Sequence, residues 1–119
     1  MAFCTFETTS QIQIGSIVKK SGLSVIENDN AADAVLVGVV TSSYQDEDEN
    51  WYVQVNISGV CQALLKSDWN GEFSAVTVSN DGISAATNDD IKHGYFIPQL
   101  PQAAAVSGDL VGIYWRGIN

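Results

Sequence analysis

The 119-residue sequence predicts a single all-β domain, a small β-sandwich or β-barrel. The first observation is a stretch in which apolar and polar residues alternate, the pattern of a strand with one buried face; its apolar positions are Trp51, Val53, Val55 and Ile57. The second is a series of short apolar runs separated by glycine and Asn or Asp turns. The third is a hydrophobic content of 45% without a dividing linker, which is typical of one folded domain.

Residues 1–10 are predicted to form a short extended N-terminal arm ahead of a β domain at 11–119. Phe3 and Phe6 lie there among polar residues, without a strand or helix pattern of their own. A terminal segment with little local chain to bury its apolar side chains is often frayed until it binds something. We therefore expect both phenylalanines to dock on a partner protein or a neighbouring copy. The alternative is that they pack on the core of their own chain.

The first half of the β domain is expected to contain three strands before the alternating stretch. They cover residues 11–18, 23–26 and 35–41, with a turn at 19–22. The third is apolar on both sides, as in a strand buried on both faces, and its Gly38 predicts a bulge or a close backbone approach.

The most acidic run of the chain is expected at the tip of a hairpin. It lies between the strand at 35–41 and the alternating stretch, and its residues are Asp46, Glu47, Asp48 and Glu49. A solvated loop tip is the simplest interpretation of like charges in series. A site for a hard cation is the alternative, although the spacing and central glycine of an EF-hand loop are missing.

The second half of the domain continues the strand and turn pattern. Strands are predicted at 60–65, 73–78, 83–86 and 110–116, with turns at 66–71 and 80–82 and one helical turn at 88–93. The apolar residues Tyr95, Phe96 and Ile97 precede prolines at positions 98 and 101, which predicts a segment at a sheet edge or outside the sheet. Together with Leu100 they are expected to form a partner-binding surface.

Charge and cysteine content restrict the classes of partner. The formal net charge of −9 disfavours nucleic acid and anionic membranes, but is compatible with a basic protein partner. Cys4 and Cys61 are too few for a disulfide scaffold and are expected to be free thiols.

The sequence offers no motif for catalysis or for a cofactor. A nucleophile elbow, a phosphate loop, a dinucleotide fingerprint and zinc-ligand spacings are all missing from it. His93 is the one histidine, and we expect it in a surface loop near Asp89 and Asp90. We therefore expect a protein that is not an enzyme and needs neither cofactor nor metal.

Aromatic residues suggest a second kind of function. Their faces can stack on carbohydrate, and the candidates for such a platform are Trp51, Trp69, Trp115 and Tyr114. Core positions are the favoured alternative for these side chains, because aromatic residues dominate small β cores.

Glycines punctuate the apolar runs in a characteristic order. The runs cover residues 15–18, 34–40, 55–60, 94–95 and 108–113, and they read Gly-Ser-Ile-Val, Ala-Val-Leu-Val-Gly-Val-Val, Val-Asn-Ile-Ser-Gly-Val, Gly-Tyr and Gly-Asp-Leu-Val-Gly-Ile. This order resembles that of small bacteriophage head-decoration (capsid cement) proteins. The chain departs from them in its segment at 98–101 and in its long acidic loop.

The resemblance implies a non-enzymatic virion protein that binds the major capsid protein and stabilises the assembled shell. It also implies self-association as a homotrimer, synthesis in the host cytoplasm and a final location on the capsid surface. The alternative is a glycan-binding or host-adhesion module on a virion or bacterial surface, which would use the tryptophans.

Overall fold

In the computed structural model, residues 2–29, 34–97 and 104–116 are described, and all regular elements among them are β-strands. The nine strands are β1 (Ala2–Thr8), β2 (Ile17–Ser21), β3 (Ser24–Glu27), β4 (Leu36–Gln45), β5 (Trp51–Leu64), β6 (Ala75–Ser79), β7 (Gly82–Ala85), β8 (Gly94–Phe96) and β9 (Leu110–Trp115). The all-β prediction is confirmed. No helix that could cross a membrane occurs in these described ranges.

The strands pair antiparallel in one curled half-barrel sheet. Their order is β3-β2-β4-β5-β9-β8-β6-β7, with β1 paired to β5 outside this path. The first half of β5 pairs with β4 and β1, and its second half pairs with β9 from Gly59 onward. Gly59 has a φ of 115°, which favours glycine, so the chain turns there without ending the strand. The strands predicted separately at 51–57 and 60–65 are therefore one strand.

The hairpin of β4 and β5 and the double-sided burial of β4 agree with the sequence prediction. Val39 packs in a larger core cluster and Val40 in a smaller one, on opposite faces of the strand. Gly38 allows β4 to approach β5, because a Cβ there would overlap the carbonyl oxygen of Asn56 and lie 2.9 Å from Val55 Cγ1. The pairing of β2 with β4 shifts register beside Gly38, as expected for a bulge.

The two clusters divide the interior along β5. The buried members of the smaller cluster are Ile12, Val18, Val25, Val40, Val53 and Val55. Those of the larger cluster are Ile17, Val39, Ala63, Leu65, Trp69, Val76, Ile83, Phe96, Ala105, Val111, Ile113 and Trp115. The first half of β5 contributes to the smaller cluster, and its second half contributes to the larger one.

The segment expected to be an arm without a strand pattern is strand β1. It pairs with β5 from Ala2↔Ser58 to Thr8↔Trp51, so its backbone is hydrogen-bonded along its own chain. This strand has no local sequence signal because it forms by pairing with β5, which is distant in sequence.

Three local predictions are wrong. The strand expected at 11–18 begins only at Ile17, and Ile14 and Gly15 lie in a turn before it. The turn expected at 19–22 lies at Gly22, which has a φ of 62°, so Lys19 and Lys20 belong to β2 and not to the turn. Residues 88–93 contain a tight turn but no helical turn. The Asp90 carboxylate accepts hydrogen bonds from the backbone N–H and hydroxyl of Thr87, at 2.8 and 3.0 Å, which closes the turn locally.

Candidate functional site

The outer face of the second half of the sheet carries exposed apolar side chains. In β9, the residues Val111, Ile113 and Trp115 point into the larger cluster, so Tyr114 lies on the opposite face. Register places Val60 of β5 on one side of Tyr114 and Tyr95 of β8 on the other. A row of apolar groups therefore crosses three strands on the outside of the sheet.

We call Phe73, Tyr95 and Tyr114 the aromatic row. The ring centroids of Tyr95 and Tyr114 are 5.2 Å apart with 26° between the planes, and those of Phe73 and Tyr95 are 5.1 Å apart with 41°. Phe73 is 67% exposed and Tyr95 is 37% exposed. Cross-strand stacking holds these rings in place, so a partner would meet a preorganised surface.

A groove lies beside the aromatic row. Three exposed apolar side chains line it, Phe3 (45% exposed), Ile14 (46%) and Val60 (52%), and its volume is about 260 Å³. Its polar lining includes Thr41, Gln54 and Gln62. We call this feature the Phe3 groove.

Rigid backbone holds each side of the Phe3 groove. Phe3 is fixed by the pairing of β1 with β5, and Val60 lies within β5. Ile14 lies in a turn whose next residue, Gly15, donates its N–H to the Val40 carbonyl and accepts a hydrogen bond from the Leu64 N–H, both at 2.8 Å. The groove is therefore preformed between strands.

Cys61 also lines the Phe3 groove and is a free, half-buried thiol. Burial raises its pKa, and a hydrogen bond with the Asn56 side chain opposes the rise. A thiol of raised pKa carries little thiolate at neutral pH, so Cys61 is a packing residue of the groove wall and not an activated nucleophile.

The residues predicted to bind a partner are in different environments. Phe3 and Tyr95 are exposed on the candidate surface. Phe6 packs against the smaller cluster, so the alternative of packing on the chain's own core applies to it. Ile97 is half-buried, and Leu100 lies outside the described residues.

Phe96 does not lie at the surface, contrary to the sequence prediction. It is fully buried in the larger cluster and stacks on Trp69, with ring centroids 4.4 Å apart. The strand that contains it, β8, lies between β9 and β6 and not at an edge. A proline removes only its own N–H and restricts the residue before it, so a three-residue strand ending at Phe96 fits before position 98.

The tryptophans considered as a sugar platform are not arranged as one. Trp69 and Trp115 are buried in the larger cluster, and the indole N–H of Trp69 donates to the Glu72 carbonyl at 2.9 Å. Trp51 is half-buried. The core interpretation therefore holds for Trp69 and Trp115, and the accessible aromatic residues of this face are those of the aromatic row.

His93 lies in a loop and lines a surface cleft with Asp89 and Asp90, as expected, and it is half-buried beside Trp115. The two rings are nearly parallel, with centroids 5.5 Å apart and 9° between planes. Burial lowers the pKa of His93, and the nearby Arg116 cation lowers it further. The neutral imidazole is favoured, so His93 acts here as a packing group.

The acidic hairpin tip is organised by its own backbone. The Asp46 carboxylate accepts hydrogen bonds from the N–H groups of Asp48 and Asn50, both at 2.9 Å. These hydrogen bonds, chiefly the one from Asn50, lower the pKa of Asp46. The hydrogen bond between Asp46 and Tyr52 raises the pKa of Tyr52 above 10.0. Within the described residues, no group of three or more His, Cys, Asp or Glu side chains is placed to hold a metal ion.

Sequence reasoning missed three residues of this surface. The sequence pattern places Ile14 in one strand, Val60 in another and Phe73 at the start of a third, without a reason to place them together. The alternation in β9 shows that Tyr114 faces away from Trp115, which is a usable signal. Its neighbours Val60 and Tyr95 follow only from the register between distant strands.

The identity of the partner has to be inferred from these residues. No protein-family model, curated protein or solved structure matches this chain.

Proposed function

We propose that this chain is a non-enzymatic structural protein that binds the major capsid protein of an assembled bacteriophage shell and stabilises it. The observation that carries the proposal is the Phe3 groove, in which apolar side chains are exposed on a rigid β framework. The resemblance of the glycine-punctuated runs to head-decoration proteins supplies the kind of partner.

The Phe3 groove has the properties of a protein-binding surface. Phe3, Ile14 and Val60 each leave about half of the side chain in water, and they converge on one concavity. Burying such side chains against a partner is favourable by about 25 cal/mol for each Å² of apolar surface removed from water. The amides of Gln54 and Gln62 at its wall can orient an incoming backbone.

Charge supports a protein partner over other macromolecules. A net charge of −9 gives long-range attraction toward a basic protein surface and repulsion from nucleic acid. The acidic hairpin tip concentrates this charge at one end of β4 and β5. Its effect is on the rate and orientation of encounter, while the apolar groove supplies contact area.

A glycan-binding module is the second candidate, and the aromatic row is the observation in its favour. Sugar platforms need ring faces that are open to solvent. Tyr95 stacks against Tyr114 on one side and lies against Phe73 on the other, so both of its faces have neighbours. Only Phe73 combines high exposure with an end position, which makes this candidate weaker than shell binding.

Co-sedimentation with capsids that lack a decoration protein tests the proposal. We expect the parent protein to pellet with capsids, and Phe3→Ser to weaken binding about tenfold or more while the melting temperature stays within about 3 °C of the parent. Leu23→Ser is the matched control, because Leu23 is fully exposed in the β2–β3 turn, away from the groove.

Two outcomes contradict the proposal. One is a parent protein that pellets with none of the capsids tested but binds a glycan array, which would favour the second candidate. The other is capsid binding that Phe3→Ser and Leu23→Ser reduce equally, because the groove would then not be the contact.

A further inference from the structure

Asn70 and Gly71 form an exposed turn just before the aromatic row. Among the asparagines that have a following residue, Asn70 alone precedes a glycine. Its side chain is exposed, and Gly71 has a φ of 87°, a conformation that favours glycine. Because Gly71 has no side chain, nothing on that residue shields its backbone nitrogen. The turn therefore places an exposed carboxamide next to an unhindered nitrogen.

A hydrogen bond holds the Asn70 carboxamide over the next peptide bond. The Glu72 N–H donates to Asn70 Oδ1 at 3.0 Å, which is a local turn that asparagine favours. The ring of atoms that this bond closes contains both the Gly71 nitrogen and the Asn70 Cγ. The turn therefore keeps these two atoms near each other, and such proximity removes much of the entropic cost of a reaction between them.

The Gly71 nitrogen is not held in a strand ladder. Gly71 lies between β5 and β6, and within residues 2–29, 34–97 and 104–116 no acceptor is placed to take its N–H. A paired N–H would have to give up its hydrogen bond before it could lose its proton. The Gly71 N–H can lose its proton to solvent without that cost.

We propose that Asn70 is a modification site, which loses its side-chain amide in a spontaneous reaction and becomes aspartate or isoaspartate. Hydroxide from solvent takes the proton of the Gly71 N–H. The electron pair on that nitrogen forms a bond to Asn70 Cγ, and the π electrons of the side-chain carbonyl move to Oδ1. The Glu72 N–H already donates to this oxygen, so it stabilises the negative charge as it develops.

The remaining steps need only water. The carbonyl re-forms as the bond from Cγ to Nδ2 breaks, and Nδ2 takes a proton from water and leaves as ammonia, which regenerates hydroxide. Water then opens the resulting succinimide ring at one of its two carbonyl carbons. Attack at Cγ gives aspartate, and attack at the main-chain carbonyl carbon gives isoaspartate. One water is consumed and one ammonia is released, so the reaction requires neither an oxidant nor shell binding.

The Asp81–Gly82 pair has the same following glycine in a different environment. The Asp81 carboxylate pairs with Lys66 Nζ at 2.9 Å, and Gly82 is the first residue of β7. An aspartate would also have to release hydroxide instead of ammonia to form the same ring. We therefore expect position 81 to stay unmodified while Asn70 reacts.

Isoaspartate at position 70 would disturb the loop that Trp69 closes. The Trp69 indole is buried and its N–H donates to the Glu72 carbonyl at 2.9 Å, while the Trp69 backbone pairs with Ala105. In isoaspartate the main chain runs through the side-chain carbons, which adds a carbon between Trp69 and Glu72. Aspartate keeps the chain length and an oxygen for the Glu72 N–H, so the isoaspartate form is expected to be the less stable product.

Peptide mapping by mass spectrometry of protein kept in warm, mildly alkaline buffer tests the proposal. We expect the acid form at position 70 to appear about tenfold or more faster than at exposed Asn88, which precedes Asp89. The net charge changes from −9 to −10, so isoelectric focusing should show a new acidic band. The same chain unfolded in urea reports the rate without the turn, and we expect the folded protein to react at least as fast.

Two variants serve as matched controls. Asn70→Gln keeps the carboxamide but requires a ring that is one atom larger, so no acidic band is expected over the same period. Asn70→Asp is the reference for the aspartate product, and its melting temperature should stay within about 3 °C of the parent. The purified isoaspartate form should melt about 3 °C or more below Asn70→Asp.

The proposal is overturned if the urea-unfolded chain deamidates at position 70 and the folded protein does not, because the turn would then protect Asn70. It is also overturned if Asn88 reacts as fast, or if Asn70→Gln gains the acidic band at the parent rate. An isoaspartate form as stable as Asn70→Asp would contradict the disturbance of the Trp69 loop.

Discussion

Replacing Phe96 with alanine tests the central correction made by the structure, the change of this residue from a surface position to a core position. The ring is fully buried and stacks on Trp69, with 4.4 Å between centroids and 13° between planes. Phe73→Ala is the matched control, because it is the same substitution on the same half of the sheet at a side chain that is 67% exposed.

The expected magnitudes differ by several kcal/mol. Removing a fully buried phenylalanine costs about 3–5 kcal/mol, from lost transfer free energy and the cavity that remains. The control loses its contact with Tyr95 and little burial, so we expect a cost of about 1 kcal/mol or less. Since a domain of this size is stable by about 5–15 kcal/mol, Phe96→Ala should remove about a fifth or more of the free energy of unfolding.

Urea unfolding followed by tryptophan fluorescence measures both variants, because Trp69 and Trp115 lie in the affected cluster. Phe96→Leu retains most of the side-chain volume and is expected to fall between the two, which keeps the test informative if the alanine variant does not fold. An alanine variant at position 96 that is no less stable than the one at position 73 would refute the core assignment.

Three further predictions concern other parts of the fold. The pKa of His93 in the folded state is lowered from 6.5, so the unfolded state takes up a proton first as the pH falls. The free energy of unfolding should therefore decrease below pH 6.5 until the pKa of the folded state is reached. His93→Gln should remove this part of the stability–pH profile. Gly38→Ala forces a methyl group against a carbonyl of β5 and should cost about 3 kcal/mol in thermal or urea unfolding, whereas Gly22→Ala, which meets no atom within 4 Å, should cost about 1 kcal/mol from its positive φ. A thiol reagent should label exposed Cys4 quickly and half-buried Cys61 slowly, so Cys4→Ser should leave only the slow phase; two equally fast thiols would contradict the burial of Cys61.

The framework of this fold was predictable from the sequence because its signals are local. Val53 and Val55 alternate with polar residues, and both point into the smaller cluster. Val39 and Val40 are adjacent and both apolar, and the structure buries them on opposite faces of β4. Gly38 predicted a close approach of neighbouring backbone, because a glycine inside a strand often marks a place with no room for a side chain.

The candidate surface was not predictable in the same way, because it depends on which strands are neighbours. Tyr95 and Phe96 are adjacent in a three-residue strand, and one is exposed while the other is buried. Their sequence context does not specify which face points inward; the pairing of β8 with β9 and β6 does. The same is true of Phe3, whose position depends on the edge that β5 offers to β1.

The Phe3 groove and the aromatic row are linked through β5. Its first half pairs with the strand that carries Phe3, and its second half pairs with the strand that carries Tyr114. The bend between the halves is at Gly59, whose carbonyl accepts a hydrogen bond from the Asn56 side chain at 3.3 Å. Val60 follows this bend and borders both the Phe3 groove and the aromatic row. Because one continuous strand connects the two surfaces, the Phe3 groove and the aromatic row keep a fixed position relative to each other.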